Sequence, residues 1–585
     1  MENTTIPARL SAQRVETLLS QMTLAEKIGQ MTQVEKNSIS PEETRERCIG
    51  SVISGGGGAP AQNTPAAWLA MVEAYRQAAL ETRLGIPLIY GADAVHGHNN
   101  VYGATVFPHN IGLGAVGDAG LVERIAGATA EEVAATGIRW DFAPTLAVPQ
   151  DIRWGRTYEG FSERTELVTR LGRAAVRGLQ SAPWRVAATA KHFIGDGGTQ
   201  FGSSETVIAD QRYLLDQGET RMDEATLRAL FLPPYLAAIE EGVLAVMASF
   251  NSWNGVKMHA NRRLLAEVLK AELGFAGLVV SDWQAIDQIS SDYHRAVVSA
   301  INAGVDMIMV PYDFRRFIAE ATLAVERGEI PIERIDDAVR RILGVKFALG
   351  LFDPDISERP PLARVGAVDH RALAREAVRK SLVLLKNANG ALPIPKDVPV
   401  MFLGGEAADD VGLQCGGWTV QWTGGRGRIT PGTTLLEATR RALSPSTRVE
   451  FDPGGEQAGR AGVGIAVVAE EPYAEGMGDR ADLTLPEKDR ALVARMRARC
   501  DRLILLVYSG RPLILTEQAE QSDGLVAAWL PGTEGDGLAG VLFGDAPFSG
   551  KLPYAWPRSM EQIPLRAHPG AVPLFPFGFG LETRS

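Results

Sequence analysis

In the stretch GLVVSDW, residues 277–283, an apolar run leads into Asp282 at the end of a candidate strand. Where parallel strands close into a barrel, active sites are assembled at those strand ends. An aspartate there can attack an electrophilic carbon or activate water, and it can equally cap the helix that follows. Other candidate strands bring comparable groups to the same face. Asp93 follows PLIYG and precedes AVHGHNN, Lys191 and His192 follow VAATA, Arg156 and Glu159 lie in DIRWGRTYEGFSE, and Asn251 and Asn254 follow VLAVMAS. Together they describe a polar pocket lined by acid, base and aromatic groups; the alternative is a core that satisfies its own charges.

Two further segments carry chemistry. Trp418 and Trp422 sit four apart among glycines in QCGGWTVQWTGGRGRIT. The glycines argue for loops, and exposed tryptophans there would offer flat faces on which the C–H side of a sugar ring can stack. Two ordinary packing tryptophans are the alternative. The loop AEEPYAEGMGDRADLTLP, from residue 469, carries Glu470, Glu471, Glu475 and Asp479 directly after an apolar strand candidate. A carboxylate from that loop could face Asp282, as retaining glycosidases need two carboxyl groups about 5–5.5 Å apart; any of the four could also be a solvated loop charge. His96 and His98 are two apart near Asp93, but they lie in a glycine-containing loop, and the chain has neither HExxH nor a cysteine ligand set. A structural or substrate-binding role is expected for them, with no metal and no cofactor. SGGGG, residues 54–58, lacks the spacing of a nucleotide-binding loop and reads as a local turn.

The elements that must position these residues are legible as apolar runs. A helix pair spans roughly 10–30. Short continuous apolar runs then alternate with helical stretches: at 50–54, 87–93, 142–148, 186–195, 243–252, 277–283 and 305–310. Continuous rather than alternating runs mark parallel strands covered by helices, and seven or eight such units before residue 350 predict a (β/α)₈ barrel over 1–352. A doubly wound sheet is the competing fold. Residues 353–372, polar and rich in proline, read as a linker. SLVLLKN, VPVMFLGG, GIAVVAE, LILLVYSG and GLVAAWLPG then form a second series, predicting a smaller α/β/α sandwich over 373–555 and a proline-rich tail over 556–585. The formal net charge of −11 and the lack of a long Lys/Arg run argue against a nucleic-acid partner. No run is long and apolar enough for a membrane span, and the first residues lack a signal-peptide pattern. The chain therefore reads as soluble, cytoplasmic as written, and periplasmic or secreted if a leader was removed. Three widely spaced cysteines favour neither a zinc cluster nor a disulfide scaffold.

The ordered set GADAVHGHNNVYGATVFPHNIGLG, RWGRTYEGFSE, KHFIGDGG, VMASFNSWNGVKMHANRRLL, GFAGLVVSDW, GGWTVQWTG, EPYAEGMGD and PLFPFGFGL resembles glycoside hydrolase family 3 from about residue 10 to the end. It is most similar to the β-glucan exohydrolase and β-glucosidase branch typified by plant exohydrolases. The resemblance implies a barrel followed by an α/β/α sandwich, an active site at their junction, and retention through a covalent glycosyl-enzyme. It places the nucleophile on Asp282 and the acid/base on Glu475, with Glu470 and Glu471 in reserve. Asp93, Arg156, Lys191 and His192 fall on the residues that grip the terminal glucose. Trp283 flanks the nucleophile, and Trp418 and Trp422 fall on the clamp around the next sugar. Phe250 stands where many members carry tyrosine, so Asn251 or a water would have to support Asp282 instead. KHFIGDGG lacks the second histidine of the family's N-acetylglucosaminidases. The expected substrates are β-linked glucosides and oligosaccharides attacked from the non-reducing end; β-xylosides or aryl and plant glycosides are the alternative, and a non-catalytic carbohydrate-binding protein is the reading from another class. Oligomeric state is not legible.

Overall fold

A computed structural model describes residues 5–181, 183–353, 358–456 and 459–583. Helices Thr5–Gln21 and Leu24–Gln30 open the chain. The second starts on a capping box, in which Thr23 accepts from the Glu26 N–H and the Glu26 carboxylate accepts from the Thr23 N–H. Apart from five two-residue strands in the loops, eight short strands follow: β1 Thr32–Glu35, β2 Ser51–Ser54, β3 Ile89–Ala92, β4 Trp140–Asp141, β5 Thr189–Phe193, β6 Ala245–Ala248, β7 Leu278–Val280 and β8 Ile308–Met309. They pair in parallel as β8-β1-β2-β3-β4 and as β7-β6-β5. Parallel bridges Trp140↔Ala187 and Val280↔Met307 join the two sheets, so the strands succeed one another around a ring. Helices between successive strands cover the outside, and strand residues such as Ala245, Val246, Val279 and Val280 are fully buried. That double burial is why these runs are continuously apolar.

Three elements differ from the expectation. The run at 142–148 is not a strand: β4 ends at Asp141, and Pro144 supplies no N–H for a ladder. β1 escaped the apolar-run criterion because three of its four residues, Thr32, Gln33 and Glu35, are polar yet buried. In the second half, the strand Arg448–Asp452 alternates, as an edge strand half open to solvent does, and was not among the predicted runs. Of the expected linker, 354–357 lie outside the described residues, and the helix Val368–Ser381 already begins within it.

The second sheet comprises β9 Val383–Asn387, β10 Val400–Gly404, β11 Arg448–Asp452, β12 Ala461–Ala469, β13 Cys500–Tyr508 and β14 Gly524–Trp529, in the spatial order β9-β14-β13-β12-β10-β11. Among these strands only β9 runs antiparallel to its neighbour. Two hydrophobic clusters, one on each side of this sheet, contain alternate residues of β13: Leu503, Leu505 and Val507 in one, Ile504, Leu506 and Tyr508 in the other. The tail returns to the sheet edge, where the Leu581 N–H donates to the Leu384 carbonyl at 2.8 Å. No helix among the described residues is long and apolar enough to cross a membrane.

The two halves are joined by polar contacts on loops. Asp479, 6 % exposed, accepts four backbone N–H groups of the barrel half: Gly155 at 2.8 Å, Leu214 at 2.9 Å, Leu215 at 2.7 Å and Asp216 at 2.8 Å. Arg511, in the loop after β13, is fully buried and donates to the carbonyls of Arg153 at 3.0 Å and Gly478 at 2.6 Å. Gly155 has no room for a side chain, since a Cβ would stand 1.9 Å from the Glu475 carbonyl oxygen. Replacing Asp479 by alanine leaves buried donors unpaired, at about 1–3 kcal/mol for a group left so. Asp479→Ala is expected to lower the calorimetric unfolding midpoint by several degrees and Asp479→Asn by less; equal midpoints for all three proteins would show that this carboxylate does not hold the halves together.

Candidate active site

Asp282 lies two residues past β7, at the end of the barrel strands where Asp93 lies one past β3 and where Lys191 and His192 lie within β5. The Asp282 N–H donates to His259 Nε2 at 3.0 Å, and Oδ1 accepts from the Trp283 N–H at 2.7 Å. Oδ2 is buried and accepts no hydrogen bond from the described residues, with His192 Nε2 3.8 Å away. Asn251, expected as a support, is engaged elsewhere. Its amide donates to Thr220 Oγ1 at 2.9 Å and to the Ser252 carbonyl at 3.2 Å. Phe250 packs edge-on against His259, with ring centroids 6.0 Å apart, and so touches the residue that receives the Asp282 N–H. Burial raises the Asp282 carboxyl above the ordinary aspartate range, against the pull of Arg156, the Trp283 N–H and Lys191.

Arg156 organises the neighbours. Its Nε and Nη2 donate to the two oxygens of Glu159 at 3.0 and 2.8 Å, a bidentate pair three residues apart. Nη2 also lies 3.1 Å from His192 Nε2. An arginine only donates, so His192 Nε2 is the acceptor and Nδ1 carries the proton, which it donates to Asp196 Oδ2 at 3.0 Å. Burial and the cations Arg156 and Lys191 hold His192 neutral, well below the usual histidine range. Lys191 Nζ stands 3.3 Å from Asp93 Oδ1 and 5.7 Å over the Trp418 ring. Asn99 and Asn100 both donate to the Asp93 carbonyl, at 3.0 and 2.9 Å.

From the second half comes Glu475, 3.4 Å from Arg156 Nη1. Burial, opposed by Arg156 and reinforced by the charges of Asp216, Asp282 and Glu159, pushes its carboxyl up to about 8. Its backbone is left-handed, φ +52°, as is that of Trp418 at +57° and Val420 at +63°. Such angles cost side-chain-bearing residues about 1–3 kcal/mol and persist where surrounding contacts impose them. Tyr213 packs against the next residue, where a Cβ on Gly476 would stand 2.2 Å from its ring. The reserve acids are committed elsewhere. Glu470 is buried against Arg511, Arg480, the Tyr473 hydroxyl and the Gly510 N–H. Glu471 is exposed and pairs with Arg426 and Lys488.

The tryptophans depart from the expectation in one respect. Trp418 is not exposed but 5 % accessible, with its indole N–H donated to Glu159 Oε1 at 3.2 Å. The buried Arg156–Glu159 pair needed another donor, and this tryptophan supplies it. Trp422 and Trp283 remain half-buried. The SGGGG turn runs against both: a Cβ on Gly55 would stand 2.9 Å from the Trp283 ring, and one on Gly56 2.7 Å from the Trp422 Cα. These glycines set how close the two aromatic groups lie. Tyr312, half exposed, meets Trp283 edge-on at 5.7 Å. His96 and His98 diverge. The ring nitrogens of His96 lie 3.1 Å from the Phe107 and Trp418 carbonyls, while His98 Nε2 lies 2.9 Å from Thr136 Oγ1. His96 thus ties the barrel to the tryptophan loop.

Sequence reasoning missed Asp216, which accepts the Trp154 indole N–H at 2.9 Å and whose burial pushes it up to about 7. It also missed His259 and the docking role of Arg511. Glu159, three positions from Arg156 in one motif, was legible beside it.

The chain matches the glycosyl hydrolase family 3 N terminal domain over residues 23–345 and the family 3 C-terminal domain over 382–583. It is 33 % identical to a lysosomal beta glucosidase of Dictyostelium discoideum, across 97 % of this chain and 75 % of the relative. Among solved structures, an exo-1,3/1,4-beta-glucanase from a Pseudoalteromonas species superposes with a TM-score of 0.92 at 40 % identity, covering 98 % of this chain and 74 % of that one. A variant beta-glucosidase from Listeria innocua in complex with laminaribiose gives a TM-score of 0.83 at 27 % identity, covering 98 % and 83 %. With both family domains matched in order over most of its length, the chain belongs to glycosyl hydrolase family 3.

Proposed function

We propose that this glycoside hydrolase releases glucose from the non-reducing ends of β-linked gluco-oligosaccharides, with retention of configuration. The observation that carries the reading is a pair of unlike carboxyls around one guanidinium: Asp282, with a buried oxygen that no described residue satisfies, and Glu475, held protonated near neutral pH. Environments that push two carboxyls apart assign the acid and the nucleophile. In the first step Asp282 Oδ2 bonds to the anomeric carbon as the glycosidic C–O bond breaks, and Glu475 gives its proton to the departing oxygen. In the second, the Glu475 carboxylate takes a proton from water, the water oxygen bonds to the anomeric carbon, and Asp282 leaves. Two inversions give net retention.

Asp93 accepts from hydroxyls of the terminal sugar, and Lys191 and Arg156 donate to them. Neutral His192 presents no cation to the nucleophile. Trp283 and Trp422, spaced by Gly55 and Gly56, hold the next sugar between them, and Trp418 forms the wall beneath Lys191. The names of the beta-glucosidase and exo-1,3/1,4-beta-glucanase relatives support β-glucosides as the substrate class.

Two outcomes follow. Glu475→Ala should lower kcat/KM for cellobiose or laminaribiose by about 10²–10⁴-fold and largely spare kcat/KM for an activated aryl glucoside, whose kcat falls because the second step loses its base and is restored by azide, which gives a β-glucosyl azide. Equal loss on both substrates without that product would remove Glu475 from the acid role. Turnover needs Asp282 deprotonated and Glu475 protonated, so kcat/KM should fall as pH rises through about 8, and rise on the acid side only above the ordinary aspartate range. Glu475→Gln should lose the alkaline limb; a limb that persists there belongs to another group.

A further inference from the structure

The second sheet contains a crevice separate from the catalytic residues. After β10 the chain moves outward to β11 and then returns to the other side of β10 as β12. The connections therefore leave β10 and β12 in opposite directions, which opens a gap outside their carboxyl ends. In open α/β sheets this switch point is where ligands bind. A cavity of about 170 Å³ lies there, bounded by Gly405 after β10, Pro453 and Gly454 after β11, and Ala469 at the end of β12. The helix Glu487–Arg499 closes its side.

A second observation is independent of the topology. Asp489, in the first turn of that helix, lines the cavity and is 8 % exposed, yet its Oδ2 accepts no hydrogen bond from the described residues. A buried carboxylate oxygen without a donor is costly unless something supplies one. Burial pushes this carboxyl up to about 6. Leu413, Val467 and Leu492 give the walls an apolar character. At the rim, Arg426 pairs with Glu471 and Glu406, and Lys488 with Glu471 at 3.3 Å and Glu406 at 3.8 Å. These four side chains are about half exposed, so the ring is weakly held and opens at little cost. Arg495, whose Nε donates to the Gly454 carbonyl at 2.8 Å, completes a lining of three cations and three acids.

We propose that this crevice is a second binding site, for a single neutral, hydroxyl-rich molecule of monosaccharide size. A hydroxyl supplies the donor that Asp489 Oδ2 lacks, the apolar walls take C–H faces, and the balanced charges favour no net charge on the ligand. The site lies at the root of the segment leading from β12 to Glu475, but the proposal does not rest on the hydrolytic reading.

The test is hydrogen–deuterium exchange of the full chain with D-glucose as probe. Glucose should slow exchange in peptides covering 405–413 and 487–495. Asp489→Leu and Leu492→Trp should each abolish that protection while leaving aryl-glucoside turnover unchanged, and Asp489→Asn should raise the half-saturating concentration about tenfold. No protection in these peptides, or protection that persists in Asp489→Leu and Leu492→Trp, overturns the proposal. So does glucose 6-phosphate acting at a concentration more than about tenfold lower, which would make the ligand anionic. Failure of the hydrolytic assignment would appear in turnover and leave these peptides unaffected.

Discussion

Arg156 is a cation buried almost completely among groups that must each sit in one protonation state. A buried guanidinium is tolerable only when counter-charge and acceptors surround it, and Glu159 supplies the counter-charge in a two-bond fork. The remaining N–H groups then act outward. One holds His192 in a single tautomer by leaving only Nε2 as acceptor. Another reaches Glu475, whose carboxyl would lie higher still without it. The same charge lowers Asp282 and Asp93 against the burial that raises them. Remove the guanidinium and four titratable groups change their balance together, which makes it a constraint on the whole site rather than one contact among several.

That constraint explains why the proposed chemistry sits between two folded halves. The barrel presents Asp282, Asp93, Lys191 and Arg156 at its strand ends, but its own carboxyl raised by burial beside Arg156, Asp216, is engaged with the Trp154 indole N–H, so the proposed acid is a carboxyl from elsewhere. The second sheet supplies one at the tip of a loop, and the loop is pinned a few residues later by Asp479 and along its length by Arg511. Left-handed backbone at Glu475 and Trp418 is the conformational cost of delivering side chains across that gap. Trp418 offsets part of it by burying its ring under Lys191 and bonding Glu159.

The barrel, the second sheet and the grouping of polar residues at strand ends were legible because each depends on local periodicity or on a long motif. Asp282 follows an apolar strand, and Arg156 and Glu159 lie three apart. What was not legible depends on contacts across hundreds of residues. Trp418 reads as an exposed platform among glycines, yet Glu159, 259 residues earlier, draws it inward. The glycines at 54–58 read as a turn, and only the folded chain shows Trp283 and Trp422 packed against them. Asn251 was the natural substitute for a missing tyrosine hydroxyl, but Thr220 claims its amide. Asp216 gave no signal, since its partner Trp154 lies on another loop.

In the proposed reaction Asp282 forms the covalent bond to sugar while the second half supplies the proton. The most direct measurement is to trap the first step with an activated 2-deoxy-2-fluoro-β-glucoside, whose fluorine slows release of the glycosyl-enzyme, and to locate the added mass by peptide mass spectrometry. One fluoroglucosyl group per chain is expected, on the peptide carrying Asp282, with activity lost in step with labelling. A label on any other carboxylate, or complete inactivation without a covalent adduct, would contradict it.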